Sequence, residues 1–426
     1  MRLNLIQLYV KINPYFFRRI GVELRRTSKN CAVAVVFGLG LWVVTAEGAD
    51  WPNWRGPNHN GISDETGWST TWPEGGPKIL WKASIGTGFC SIAVSGGRVY
   101  TMGNANNTDT LYCLDANTGK EIWKQSYPCP LFNKSHEGGP SATPTVDGDS
   151  IYTFSKNGDI VCFKAATGQI AWRRKLPKEL GTRVPTWYFA GSPFVFENLI
   201  ILNAGTAGTA LNKADGKVVW QNGNTAGGYA TAVPFTIGNE KCVAIFGSNE
   251  LIALAAGTGK VLWRVPWKTR WDVNAADPIF SDNMIFISSG YDRGCGLFKI
   301  GADGATKVWE NKNMRNHFNS CVLWKGSIYG FDESDLRCLD WKSGEAKWTQ
   351  EGLGKGSLML ADGKLIILSE KGKLVIAPAS PDGFKELCSA QILKGKCWTM
   401  PVLANGRIYA RNNPDGQLVC VDVSGK

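Results

Sequence analysis

Leu111-Tyr-Cys-Leu-Asp115-Ala-Asn-Thr-Gly119-Lys-Glu-Ile-Trp123 returns as Ile160-Val-Cys-Phe-Lys164-Ala-Ala-Thr-Gly168-Gln-Ile-Ala-Trp172, and again around Gly216/Trp220, Gly259/Trp263, Gly304/Trp309 and Gly344/Trp348. The tryptophans at 123, 172, 220, 263, 309 and 348 give steps of 49, 48, 43, 46 and 39 residues. A turn glycine about four residues before a tryptophan, at a period of roughly 44, marks a chain built from one supersecondary unit. A degenerate copy, Pro381-Asp-Gly383-Phe-Lys-Glu-Leu387, keeps the spacing with Leu387 in the tryptophan slot.

A second recurring piece precedes each turn, as in Thr143-Pro-Thr-Val-Asp-Gly148-Asp-Ser-Ile-Tyr152, with near copies from Ser91, Pro278 and Pro401. Runs of four to six Val, Ile, Leu, Tyr and Phe separated by Asp-Gly, Asn-Gly and Thr-Gly turns predict four short strands per unit. No sustained apolar period of 3.6 interrupts them, so helix is expected to be scarce. Four-stranded units at this period predict propeller blades. The ends point to a closed ring. The last unit stops at Leu418-Val-Cys-Val-Asp422 before its tryptophan, and Ile79-Leu-Trp81 begins with one. Pairing of amino- and carboxy-terminal strands would remove the open sheet edge. The fold class expected is all-β, an eight-bladed propeller of antiparallel blades, with seven blades as the rival if the Leu387 unit fails to form one. The tryptophans read as packing between blades.

The 426 residues include 50 glycines and 18 tryptophans, as many turns and inter-blade aromatics require. Of the +11 net charge, residues 1–49 supply seven basic and two acidic side chains; the rest carries 40 basic and 34 acidic, or +6, with no basic run. That distribution argues against a nucleic-acid surface. Arg25-Arg-Thr-Ser-Lys29 followed by the apolar Cys31 to Val44 has the form of a signal peptide or amino-terminal membrane anchor. Cys31 precedes the apolar core and is wrongly placed for a lipoprotein acceptor. The expected organisation is therefore a leader over 1–49, an extension packing on the propeller over 50–78, and the propeller over 79–426. Twelve cysteines in an exported chain suggest disulfides, but Cys113, Cys162, Cys338 and Cys420 occupy one repeat slot, in blades held apart by the ring. They are expected to be buried and unbridged, and no CxxC motif supports zinc or haem.

The turn piece Leu-x-x-x-Asp-Ala-x-Thr-Gly-Lys-x-x-Trp resembles the tryptophan-docking motif of quinoprotein dehydrogenases, and the chain from about Trp51 resembles the wider family of PQQ-like β-propeller repeat proteins. That family includes the propeller scaffold of the outer-membrane protein assembly machinery, which carries no quinone. The opening Asp50-Trp-Pro-Asn-Trp-Arg-Gly-Pro-Asn58-His-Asn-Gly-Ile-Ser is similar to the start of exported single-propeller members mostly of unknown activity. The resemblance implies PQQ and calcium for the dehydrogenase branch. Against that branch, this chain is shorter, lacks the adjacent cysteine pair and has no haem domain.

Loops entering the innermost strands converge on a propeller's channel, where ligands bind. Aligned on the Pro144-type anchor, they are dissimilar and rich in aromatic and ionisable residues: His136, Glu137, Trp187, Tyr188, Tyr229, Trp271, Asp272, Asn274, Asp277, Arg315, Asn316, His317, Lys355, Lys396 and Trp398. Cations at 315, 355 and 396 would suit a carboxylated ligand and the aromatic faces a planar ring. Glu137, Asp272 and Asn274 are the candidate calcium donors, and Asp272 or Asp277 the candidate catalytic base. Asp277, just before Pro278, also reads as a turn-former. Polar residues at a channel mouth ordinarily hydrogen-bond one another, backbone and water. Two readings follow: a monomeric, non-catalytic periplasmic or cell-envelope module binding protein, peptide or glycan at its channel face, touching membrane only through its amino-terminal segment; or a PQQ- and calcium-dependent oxidoreductase of alcohols or sugars.

Overall fold

A computed structural model describes residues 49–133 and 136–425; the expected leader lies outside the described residues. Eight antiparallel sheets follow one another along the chain. Their innermost strands are Ala93–Ser95, Thr145–Asp147, Phe194–Phe196, Val233–Ile237, Ile279–Ser281, Val322–Trp324, Ser357–Ala361 and Val402–Ala404, for blades 1 to 8. Blade 8 is completed by Ile79–Ser84, which pairs with Gln417–Asp422 as its outermost strand. The Leu387 unit does form a blade, its outer strand being Cys388–Gln391. The ring is thus eight-bladed, and one five-residue helix, Leu176–Leu180, is the only α-helix among the described residues.

The repeat's chemistry is visible between neighbouring blades. Trp172 of blade 2 donates its indole N–H to the Lys213 carbonyl of blade 3 at 3.0 Å. Its ring covers Gly216, where a Cβ would lie 2.6 Å from the indole and where φ is +69°. Both facts demand glycine there. The indole-to-carbonyl bond recurs from Trp81, Trp123, Trp220, Trp309 and Trp348. Trp263 departs: its Nε1 is buried without a partner. The next blade replaces the wide Asp-Ala-x-Thr-Gly turn by a tight hairpin, Gly301 facing Gly304, and Gly304 meets no ring. The seven blades that carry a tryptophan also carry a one-residue register shift beside it, which turns the preceding residue outward. Blade 7, with Leu387, has none. Trp68 and Trp72 of the amino-terminal segment join the core there, with Ala390 and Val421.

The four equivalent cysteines each sit between two aromatics on adjacent strands. Cys113 pairs across to Tyr100 and Trp123, and Cys162 to Tyr152 and Trp172; Cys338 and Cys420 repeat the arrangement. The ring centroids approach to about 6 Å across the small thiol. All eleven described cysteines are unbridged.

The segment after Asp50 threads the channel. Trp51 pairs with Val94 of blade 1, and the Pro52 carbonyl accepts from Val146 of blade 2. His59 meets Phe194 of blade 3 edge-on at 4.9 Å. Arg55, 1% exposed, donates to the Cys321 carbonyl ahead of blade 6 at 2.7 Å. Ile62–Ser63 adds a parallel strand to the inside of blade 7. Glu65 accepts the Asn405 and Gly406 amides of blade 8. Within the plug, Asn53 donates to the Gly56 carbonyl and to His59 Nδ1.

Burial, and then the Arg55 charge, lower the His59 imidazole to about 4. An unfolded chain takes up this proton near pH 6.5 and the folded chain does not. Stability contributed by neutral His59 is complete above about pH 6.5 and is lost as pH falls to about 4, for a total of about 3 kcal/mol. Urea titrations of the wild type and of His59→Gln across this range should show that acid loss shrinking in the variant; equal slopes would exclude His59 as its source.

Candidate functional site

Two positions before the innermost strands of blades 1 to 6, the chain carries Ser91, Thr143, Ser192, Thr231, Asp277 and Ser320. Each side chain after the first accepts the backbone N–H of its predecessor, at 2.8–3.0 Å, forming a belt around the channel. Asp277 does this with one oxygen. Its other oxygen accepts the Trp54 indole N–H at 2.5 Å, with Arg55 Nε at 3.8 Å. Burial pushes its carboxyl up and the Arg55 guanidinium down, each partly offset by the partner's charge. This carboxylate is a structural clamp that holds the plug in the ring.

Above the plug a cavity of ≈ 450 Å³ remains, within the roughly 300–1,000 Å³ of small-ligand sites. Trp54, Phe89, His136, Trp187, Tyr229, Tyr291, His317, Phe318 and Trp398 supply its rings, and Ser141, Ser192, Thr231, Asn319 and Thr399 its smaller polar groups. Trp398 stacks on Phe89 and lies tilted against Phe318, with centroids at 5.8 and 4.6 Å, and Glu370 orients it by accepting its indole N–H at 2.9 Å. His136 lies beside Trp187 at 6.0 Å, and Tyr291 meets His317 edge-on at 4.8 Å.

Six residues singled out from the sequence line this cavity: His136, Trp187, Tyr229, Asp277, His317 and Trp398. Others stand at the rim, already paired. Lys396 holds Glu137 at 2.7 Å and lies over Trp398. Lys355 bridges Glu333 and His317 Nδ1 at 3.0 and 2.7 Å. Arg315 grips buried Asp332 with two 2.7 Å bonds, and that bonding raises the guanidinium pKa. Asn316 and Asn274 are buried, donating to backbone carbonyls. Trp271 is 57% exposed, beneath Arg270. Asp272 and Tyr188 hold turns at positive φ, and Tyr188 packs on Phe132.

Two of the three expected calcium donors are otherwise engaged: Glu137 pairs with Lys396, and the Asn274 carbonyl oxygen accepts the Ser289 hydroxyl at 2.7 Å. Among the described residues no three His, Cys, Asp or Glu side chains cluster to hold a metal ion. Nor do the residues fit a tricarboxylate quinone on calcium. The three cations expected to receive its carboxylates are neutralised by Asp332, Glu333 and Glu137, and the carboxylate nearest the cavity floor is committed to the plug. Trp54, Phe89, Tyr291, Phe318 and Asn319 were not anticipated. Phe89 precedes a blade without the proline anchor, Tyr291 belongs to a different loop of its blade, and Trp54 enters from the far end of the chain.

A family model described as outer membrane protein assembly factor BamB matches residues 60–136 and 130–350. The chain belongs to this family. Its BamB relative from Yersinia pestis is 24% identical over 379 residues, covering 82% of each protein. Among solved structures, BamB from Moraxella catarrhalis superimposes with a TM-score of 0.61 at 15% identity, over 81% of this chain and 99% of that one. The quinohemoprotein alcohol dehydrogenase from Comamonas testosteroni gives 0.63 at 13% identity, over 88% and 81%. At such identities the two structures speak for the PQQ-like propeller fold alone. In this BamB-family chain the channel is filled by the amino-terminal plug, which floors the aromatic cavity.

Proposed function

We propose that the protein is an exported, non-catalytic binding module of the cell envelope, whose ligand enters the aromatic cavity at the open end of the plugged channel. Residues 1–49 serve as its export signal or anchor. BamB relatives named as outer membrane protein assembly factors support an envelope scaffold, with a protein, peptide or glycan as partner. The observation that carries the reading is Asp277. A quinone dehydrogenase needs a carboxylate free to take a substrate proton, whereas this one is buried and bonded to Thr231 and Trp54.

The likeness to the alcohol dehydrogenase fold keeps the oxidoreductase as the rival reading. Calorimetry of the purified full chain with PQQ and Ca²⁺, followed by a dye-linked alcohol and sugar oxidation assay, separates the two. No binding heat at micromolar quinone and no dye reduction are expected. Calcium-dependent quinone binding with turnover would sink the binding-module reading.

A further inference from the structure

The cavity's polar groups are almost all uncharged, and their donor and acceptor roles can be worked out. His136 Nδ1 accepts the Gly138 backbone N–H at 3.0 Å, so its proton resides on Nε2. His317 Nδ1 faces the Lys355 ammonium at 2.7 Å; an ammonium only donates, so this imidazole also carries its proton on Nε2. Burial lowers both imidazoles; at His136 Glu137 opposes this while Lys396 and Lys156 add to it, and at His317 Lys355 adds to it while Glu333 opposes it, so both stay neutral at pH 7. The Tyr229 hydroxyl accepts the Trp187 amide at 3.2 Å and keeps its proton to give. Asn319 donates its amide to Gly356, leaving its carbonyl oxygen as an acceptor without a partner among the described residues.

Around these groups stand the rings of Trp187, Phe89, Trp398 and Phe318. Among the described residues, the rim lysines are paired with Glu137 and Glu333 and Lys156 is tied to the Pro130 carbonyl, so the described lining itself holds no lysine or arginine for an acidic ligand. Among the described lining residues the one carboxylate, Asp277, is committed to Trp54, Thr231 and Arg55 and is not free for a cationic ligand. Flat aromatic faces beside neutral N–H and O–H donors and an amide acceptor match a pyranose ring. Its C–H faces are apolar, and its equatorial rim carries hydroxyls that both donate and accept.

We propose that this cavity binds a neutral sugar unit of a glycan, one ring face against Trp398 or Trp187 and its hydroxyls against His136, His317 and Asn319. The proposal rests on the reading of the cavity as a binding site. It deepens that reading by naming the ligand class.

The test titrates the full-length protein with uncharged hexasaccharides of glucose (α- and β-1,4-linked), mannose and N-acetylglucosamine, with a hexagalacturonate, and with an uncharged decapeptide, following tryptophan fluorescence and calorimetry. At least one neutral oligosaccharide is expected to bind. Trp398→Ala should weaken it at least about 10-fold, by the stacking lost from the cavity wall, and Trp271→Ala should leave it unchanged. Trp398→Phe, which keeps an aromatic face, should retain part of the affinity, and thermal melts establish that each variant is folded. Affinity should be flat from about pH 8 to about pH 6.5 and fall in more acid solution as the histidines charge.

Equal or tighter binding of the galacturonate would overturn the neutral-ligand assignment. Binding of the peptide alone would overturn the glycan and leave the binding module standing. If none of these ligands binds, the glycan proposal fails; if the protein takes up PQQ instead, the binding-module reading falls with it.

Discussion

Arg55→Met is expected to lower the unfolding free energy by about 3–5 kcal/mol, the cost of leaving one member of a buried ion pair uncompensated. Arg55 and Asp277 are both buried and lie 3.8 Å apart, and the guanidinium also serves the Asn60 and Cys321 carbonyls. Its removal strands the Asp277 charge and two acceptors inside the ring. The informative partner is Asp277→Ser, because serine or threonine fills this belt position at Ser91, Thr143, Ser192, Thr231 and Ser320. A serine still accepts the Thr231 amide while removing the charge. The double variant should therefore recover at least half of the loss, since replacing both members of a buried pair is often close to neutral. Guanidinium denaturation of the four proteins gives the coupling. Additive losses would show that Arg55 acts through packing alone and that Asp277 is no clamp.

The second large effect concerns the blade-to-blade tryptophans. Trp220→Ala should cost about 3–5 kcal/mol, as expected for emptying a buried aromatic site, because the indole packs on Gly259 and donates to the Ala256 carbonyl at 3.1 Å. Phenylalanine distinguishes the two contributions. Trp220→Phe keeps a ring but leaves that carbonyl without its donor, whereas Trp263→Phe removes an indole N–H that has no partner. The loss at position 220 should exceed that at 263 by about 1 kcal/mol, the net worth of one hydrogen bond. Equal losses in denaturant titrations would mean that the docking bond adds nothing beyond ring packing.

The Trp263 exception shows where sequence reading reached its limit. Gly304 stands near its tryptophan in the sequence like the other turn glycines, yet it closes a tight hairpin and meets no ring. Spacing reports that a turn exists and not its width. Asp277 is a stronger case. It was legible as an ionisable residue near the channel, but as a repeat-position substitute, serine exchanged for aspartate, it could be understood only once the belt was visible. Lys355 and Lys396 stand out in the sequence as cations, but their charges are spent on Glu333 and Glu137, partners that no local pattern names.

By itself the sequence determined the blade and the closure of the ring, and favoured eight blades over seven. Strand periodicity, turn glycines and a recurring tryptophan are local signals that repetition reinforces, whereas the Leu387 unit was seen to be a blade only in its pairing. Tertiary structure alone decided what occupies the channel. Trp54 and its acceptor Asp277 are 223 residues apart, and neither carries a local pattern that names the other. Ring closure brings eight unlike loops and one amino-terminal segment to a single axis. There, each polar group's role depends on which partner it has already met.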